Sequence, residues 1–188
     1  MPSSSEPPTL LRDELDTPIG RLALLTNEAG ELHAVGWLDE RRRVTRGLMR
    51  DAVDPRYRVR PDANPGGASD ALRAYFEGEL AAIDALRVAS LGTPFQREVW
   101  RALREIRCGT TQSYGELARR IRHPNAVRAV GLANGSNPIG IVVPCHRVIG
   151  ANGTLTGYGG GLERKRWLLA HERALPALEL PFAPASER

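Results

Sequence analysis

The segment SYGELARRIRHPNAVRAVGLANGSNPIGIVVPCHRVIG, residues 113–150, decides how this chain folds. Ser113 followed by Glu116 is a capping box, so a helix opens at SYGELARRI with Leu117 and Ile121 on its apolar side. RHPN, residues 122–125, makes a turn, and AVRAVGLANG, 126–135, reads as a second helix. Two short helices joined this way match a helix-turn-helix. Helical proteins that never touch DNA contain the same pair, but Arg119, Arg120, Arg122 and Arg128 around the turn favour an anionic partner. After GSNP, the apolar run GIVV reads as a buried strand, and PCHRVIG at its end sets Cys145 beside His146.

Working outward, TPFQREVWRALREI starts another helix. Thr93 is its N-cap, Pro94 suits its first position and Gln96 completes a capping box. Phe95, Val99, Leu103 and Ile106 form one stripe, with Trp100 at its edge. Downstream, ANGTLTGYGGG places five glycines in residues 151–161, which lets backbone approach a flat ligand closely. LERKRWLLAHE, 162–172, is a last helix with Leu162, Trp167 and Leu168 or Leu169 turned inward.

The first half reads as a small scaffold. Ile19–Leu25 and Leu32–Leu38 form a hairpin about the turn at 27–30. RRRVTRGLMRDA, 41–52, reads as a helix, YRVRP, 57–61, as a short strand, NPGGAS as a loop, and ALRAYFEGELAAI, 71–83, as a helix. The fold class is α/β (α+β). Residues 1–15 are expected to be a flexible lead-in, 16–90 a mixed sheet and helix domain, 91–175 a mainly helical domain, and 176–188 a tail.

Charge divides along the same line. Residues 1–92 hold 12 Arg against 15 Asp and Glu, while residues 93–172 hold 12 Arg and Lys against 5 acids. A basic half points to nucleic acid, although a solvated arginine-rich face reads the same way. No apolar run approaches the ~20 residues of a membrane span. The N-terminus lacks the pattern of a secretory signal, so a cytoplasmic location and two free thiols are expected.

Cys145 has four readings. Free cysteine is often simply a core residue. One Cys and one His are too few for a metal, and there is no CxxC, so no metal and no cofactor are expected. A hydrolase nucleophile needs a base within reach and an orienting third group. A thiolate could instead attack carbon on a bulky aromatic substrate under the glycine-rich loop. Neighbouring residues on an extended strand face opposite ways, so Cys145 and His146 cooperate only if the backbone bends at Pro144 and Gly150 or a water bridges them. Glu172 is the nearest downstream acceptor for His146.

SYGELA, NAVRAVGLANGSNPIGIVVPCHRVIG and TGYGGGLERKRWLLAHE, in this order from Thr93 to Glu172, resemble the C-terminal domain of the O6-alkylguanine-DNA alkyltransferases. The first half resembles that family's ribonuclease-H-like domain more weakly. The resemblance implies DNA repair by irreversible transfer of a methyl or larger alkyl group from O6 of a flipped guanine to Cys145, which consumes the protein. It implies that His146 and Glu172 relay the thiol proton through a water and that Tyr114 donates to the departing ring. Arg128 would fill the gap left by the base, with Ala126, Ala129, Gly131 and Ser113 also at the DNA. Asn137 and Pro138 would brace the turn before the cysteine, and Val148, Tyr158, Gly159 and Gly160 would line the base pocket, with the Cys145 and Val148 carbonyls accepting from the guanine amino group. The implied partner is double-stranded DNA carrying alkylated guanine, met in the minor groove by a monomer. Activity on O4 of thymine and cooperation along DNA stay open, and the alternative is a non-catalytic binder of alkylated DNA. Some members hold zinc in the N-terminal half, but this chain has only His33 and no cysteine there. Gly159 departs from members with a side chain at that position. Cys108 has no motif around it that calls for a thiol, and it reads as structural.

Overall fold

The computed structural model describes residues 7–38 and 56–175. Its first layer is a four-stranded sheet of β1 (Thr9–Leu15), β2 (Leu22–Asn27), β3 (Leu32–Trp37) and β4 (Arg58–Pro61), in the order β3-β2-β1-β4. β2 runs antiparallel to both β1 and β3, and β4 parallel to β1. The hairpin turns at Gly30, whose φ of 75° suits a residue without a Cβ. Its N–H donates to the Asn27 carbonyl. Leu22 and Leu24 face the main core, while Ala23 and Leu25 face a smaller cluster with Leu10 and Ala34. β2 is thus covered on both sides, which explains why its first four residues, LALL, are all apolar rather than alternating.

The lead-in expected over residues 1–15 is corrected by β1. Residues 9–15 form an interior strand of the sheet, with Leu10 and Leu15 buried. TLLRDEL hides this because its charged residues occupy half-buried positions. The helix expected at 41–52 and the tail at 176–188 lie outside the described residues. The helix expected at 71–83 is α1 (Ala68–Glu77), which starts earlier and stops at Gly78, whose φ of 109° ends it. Leu80 and Ile83 pack from the turns beyond.

The second layer holds α2 (Pro94–Arg104), α3 (Tyr114–Arg120), α4 (Val127–Gly135) and α5 (Leu162–His171), with β5 (Gln112–Ser113) paired parallel to β6 (Val148–Ile149). Both expected capping boxes form, at Thr93/Gln96 and at Ser113/Glu116. Trp167, Leu168 and Leu169 are buried as expected, but Leu162 lies exposed in the first turn of α5. One hydrophobic cluster runs through both halves, from Leu24 and Tyr75 to Val99, Leu117 and Val148. The open edge of β3 is covered. The Leu32 N–H donates to the Arg87 carbonyl, the Val35 N–H to the Pro138 carbonyl and the Gly140 N–H to the Val35 carbonyl. These bonds satisfy an edge that would otherwise be free to pair elsewhere. They also tie the sheet to the segment that leads into PCHRVIG.

Candidate active site

That segment is buried as expected, but it is not a strand. Between Ile139 and Pro144 the chain makes successive tight turns. The Val142 N–H donates to the Gly140 carbonyl at 2.8 Å around Ile141, which sits at φ 68°. The Cys145 N–H donates to the Val143 carbonyl at 2.8 Å around Pro144. Each is an i to i+2 bond, and the first needs a conformation costly for a β-branched residue, on the order of 1–3 kcal/mol. Ile141 is held there by full burial. Cys145–Arg147 then forms a single 3-10 turn. This bend supplies the change of direction that lets consecutive residues serve one site. A strand was expected because an apolar run alone does not separate pleat from turn.

Asn137 organises these turns. Its Nδ2 donates to the Val143 carbonyl at 2.8 Å and the Ile139 carbonyl at 3.3 Å, and its Oδ1 accepts from the Ile139 N–H at 3.0 Å. The same side chain lies against the Cys145 thiol. Pro138 is buried, with its carbonyl committed to Val35, so it serves as scaffold. Asn134, on α4, reaches the Cys145 carbonyl at 3.5 Å.

Cys145 is buried but not sealed, at 7% exposure. Burial pushes its thiol up, while Asn137 and the Lys165 charge pull the other way. Lys165, buried on α5, donates to the Val148 carbonyl at 2.6 Å and the Thr156 carbonyl at 2.7 Å. Burial brings its own pKa down to about 8, against the influence of Cys145. One lone pair of the Val148 carbonyl is therefore taken, and a carbonyl oxygen has a second with which to accept another donor.

His146 is fully buried. Its Nε2 pairs with Glu172 Oε1 at 2.9 Å, and its Nδ1 has no hydrogen-bond partner among the described residues. Burial lowers its pKa, and Glu172 only partly restores it, which favours the neutral ring. Nε2 then carries the proton and Nδ1 is the basic atom. Glu172 ends α5 and gathers several donors. Arg147 reaches it through Nε at 2.7 Å and Nη2 at 2.9 Å, and the Tyr75 hydroxyl through a 2.8 Å bond. Burial would raise this carboxyl, but His146 and Arg147 outweigh it and hold the pKa well below the usual range. The half-buried Cys108, read from sequence as merely structural, lies against the same carboxylate, and burial and Glu172 both raise its thiol.

The glycine-rich loop closes over this centre. The Tyr158 ring stands edge-on to His146 at 6.4 Å, and burial and the neighbouring Cys145 raise its phenol. A methyl on Gly160 would lie 2.6 Å from Trp37 Nε1 and 2.8 Å from the Tyr158 ring, so that position admits no side chain. Gly159 is exposed on the same loop. Tyr114 opens α3 beside the loop. A methyl on Gly131 would touch its ring at 3.9 Å, and one on Gly157 its hydroxyl at 3.9 Å.

Arg128, Ala129 and Leu132 are exposed on α4, Ala126 and Gly131 half-exposed, and Leu132 stands out at 77%. Ser113, expected at the DNA, spends its hydroxyl on the Glu116 cap at 3.2 Å. Arg119, Arg120 and Arg122 are exposed around the turn. The structure thus brings Cys145, His146, Glu172, Asn137, Val148, Tyr158 and Gly160 together, with Tyr114 at the rim. Arg128, Ala126 and Ala129 sit on an adjoining outer face. Sequence reasoning missed Arg147, Lys165 and Tyr75. Arg147 lies inside PCHRV and Lys165 is the chain's lone lysine, so both carried a signal. Tyr75 carried none, because its spacing reads as helix core.

Two family models match the chain. Residues 10–89 match the 6-O-methylguanine DNA methyltransferase ribonuclease-like domain, and residues 94–174 that family's DNA-binding domain. A methylated-DNA–protein-cysteine methyltransferase of Salmonella typhimurium is 53% identical over 87% of this chain and 95% of its own. One of Methanosarcina mazei is 47% identical over 84% and 94%. Among solved structures, Mycobacterium tuberculosis OGT in complex with DNA superposes with a TM-score of 0.72 at 44% identity, covering 87% of this chain and 93% of that one. The Pyrococcus kodakaraensis O6-methylguanine-DNA methyltransferase gives 0.64 at 26% identity, covering 87% and 98%.

Proposed function

The chain belongs to the 6-O-methylguanine DNA methyltransferase family, and on that premise we propose that Cys145 is the residue that takes the alkyl group. The protein repairs alkylated DNA by moving the alkyl group to one of its own cysteines. Its partner is DNA. The observation that carries the assignment to Cys145 is the buried chain of Glu172 Oε1 to His146 Nε2, with Nδ1 left as the free base one residue from the thiol.

The lesion is O6-alkylguanine. A base in the stack cannot reach a buried sulfur, so it leaves the duplex at a cost of a few kcal/mol, lower for a damaged pair. Arg128 fills the space it vacates, from the exposed face of α4, with Ala126, Ala129 and Gly131 small enough to let that helix approach the minor groove. His146 Nδ1 accepts the Cys145 proton through a water, and Glu172 steadies the imidazolium that results. The thiolate attacks the alkyl carbon, the S–C bond forms, and the C–O6 bond breaks with its electron pair leaving on guanine. Tyr114 supplies the proton that the purine takes up, and both protons re-equilibrate with solvent. A general acid and base of this kind contribute about 10²–10⁴-fold in rate. Lys165 and Asn137 lower the cost of the thiolate, and the second lone pair of the Val148 carbonyl accepts from the guanine amino group. The product is a thioether that water does not cleave, so each molecule acts once.

Among the described residues no helix is long and apolar enough to cross a membrane. We place the protein in the cytoplasm as a monomer. The test is peptide mass after incubation with O6-methylguanine duplex. One methyl on the peptide bearing Cys145, with stoichiometric loss of the lesion, is expected. A methyl elsewhere, or release of methanol with turnover, overturns the assignment. Binding with the lesion left intact would make the protein a non-catalytic reader of alkylated DNA.

A further inference from the structure

The sheet domain touches the carboxylate of the relay through Tyr75. Tyr75, in α1, is fully buried, and its hydroxyl donates to Glu172 Oε1, the oxygen that also pairs with His146. The contact is doubled, because His171 Nε2 donates to the Tyr75 backbone carbonyl at 2.7 Å. Adjacent residues of α5 thus grip one residue of α1 by its carbonyl and its hydroxyl. Around them Phe76, Trp167 and His171 form an aromatic cluster, with Trp167 stacked on His171 at 4.7 Å. Packing alone would accept phenylalanine at position 75. The hydroxyl is there for the carboxylate.

We propose that Tyr75 is a positioning residue for alkyl transfer, by which the N-terminal domain fixes Glu172 Oε1 in line with His146 and completes the proton relay. This inference rests on the reading of Cys145 and His146 given above. Glu172 has two oxygens and at least four donors. Arg147 Nε holds Oε2, while Oε1 is shared by His146, Arg147 Nη2 and Tyr75. Without the tyrosine, Oε1 carries more of the negative charge and pulls harder on the imidazole. His146 then holds a proton over a wider range of pH and is less often a free base.

The groups that face this pair are Cys145 and Arg147 from the 3-10 turn, Lys165 and His171 from α5, Cys108 from the loop after α2, and Tyr158 from the glycine-rich loop. None of them belongs to the sheet domain, so Tyr75 is that domain's direct handle on the relay among the described residues.

The test compares single-turnover rates with O6-methylguanine duplex against pH for the wild type, Tyr75→Phe and Phe76→Leu. Phe76 packs in the same domain contact, against Trp167 and His171, but has no group that can hydrogen-bond Glu172, and its variant is expected to melt earlier while keeping the wild-type pH profile. Tyr75→Phe is expected to move the acid limb up by on the order of half a unit, a loss of about threefold in rate on that limb, because the Glu172 carboxylate, relieved of one donor, favours the protonated His146 more strongly. Superimposable profiles for Tyr75→Phe and the wild type, or an equal shift in Phe76→Leu, overturn the inference. Failure of the wild type to accept methyl on Cys145 sinks the proposed function instead. Should Tyr75→Phe not fold, proton NMR of the wild type decides. A slowly exchanging Tyr75 hydroxyl with an Overhauser contact to the His146 Nε2 proton is expected, and its absence overturns the inference.

Discussion

Replacing Glu172 by glutamine separates what the buried cluster does for stability from what it does for chemistry. Glu172 is 2% exposed and Arg147 5%. Two bonds join them, at 2.7 and 2.9 Å, and the third Arg147 bond, from Nη1 to the Ile106 carbonyl at 2.6 Å, survives the change. The substitution leaves a guanidinium buried without its counter-charge, which costs about 3–5 kcal/mol. For a chain of this length each kcal/mol moves Tm by about 2–4 °C, so a fall of about 6–20 °C is expected. Transfer to Cys145 should fall by a further ~10²-fold or more in protein that is still folded, because the imidazolium is no longer stabilised. The pH dependence fixes the cause. The carboxyl is held below its ordinary pKa in the folded state, so its stabilisation is complete above the unfolded value of ~4.3 and drains away as pH falls through the folded value. The gap in Tm between wild type and variant should therefore narrow steadily in melts taken below about pH 4. A variant melting within about 2 °C of the wild type at pH 7 would refute the charge argument, as would a gap that stays constant into acid.

The DNA face and the loop can be probed in the same way. Arg128→Ala should weaken repair of methylated duplex while leaving transfer from free O6-methylguanine nearly unchanged, because only the duplex has a gap to fill. Equal losses with both substrates would remove Arg128 from that role. Gly160→Ala forces a methyl to within 2.6 Å of Trp37 and 2.8 Å of Tyr158. It should slow transfer at least tenfold while duplex affinity, measured by fluorescence anisotropy, holds. Affinity for unmodified duplex should fall with added salt at a log–log slope of about −0.9 for each phosphate neutralised. A flat response would detach the arginines around the turn from DNA binding.

The sequence made the helical half legible because helix ends are written locally. Thr93 with Gln96 and Ser113 with Glu116 spell out capping boxes that need no tertiary help, and both form. The hairpin was equally plain, since Gly30 sits where a left-handed residue is required. Non-local causes were not legible. TLLRDEL becomes an interior strand only because β2 and β4 lie on either side of it. GIVV becomes a set of turns because Asn137 and Val35 satisfy its backbone groups from outside the segment.

The site follows the same rule. Cys145 and His146 stand out because they are adjacent and chemically rare, and Glu172 because a histidine needs an acceptor. Tyr75 lies 97 residues from Glu172, in a helix whose pattern asks only for an apolar side chain. Its hydroxyl acquires meaning only when α5 is laid against α1. The order of dependence therefore runs from fold to chemistry. The apolar cluster that joins the two halves brings Tyr75 to the carboxylate, the carboxylate sets the histidine's tautomer, and the tautomer decides which nitrogen is free to take the thiol's proton.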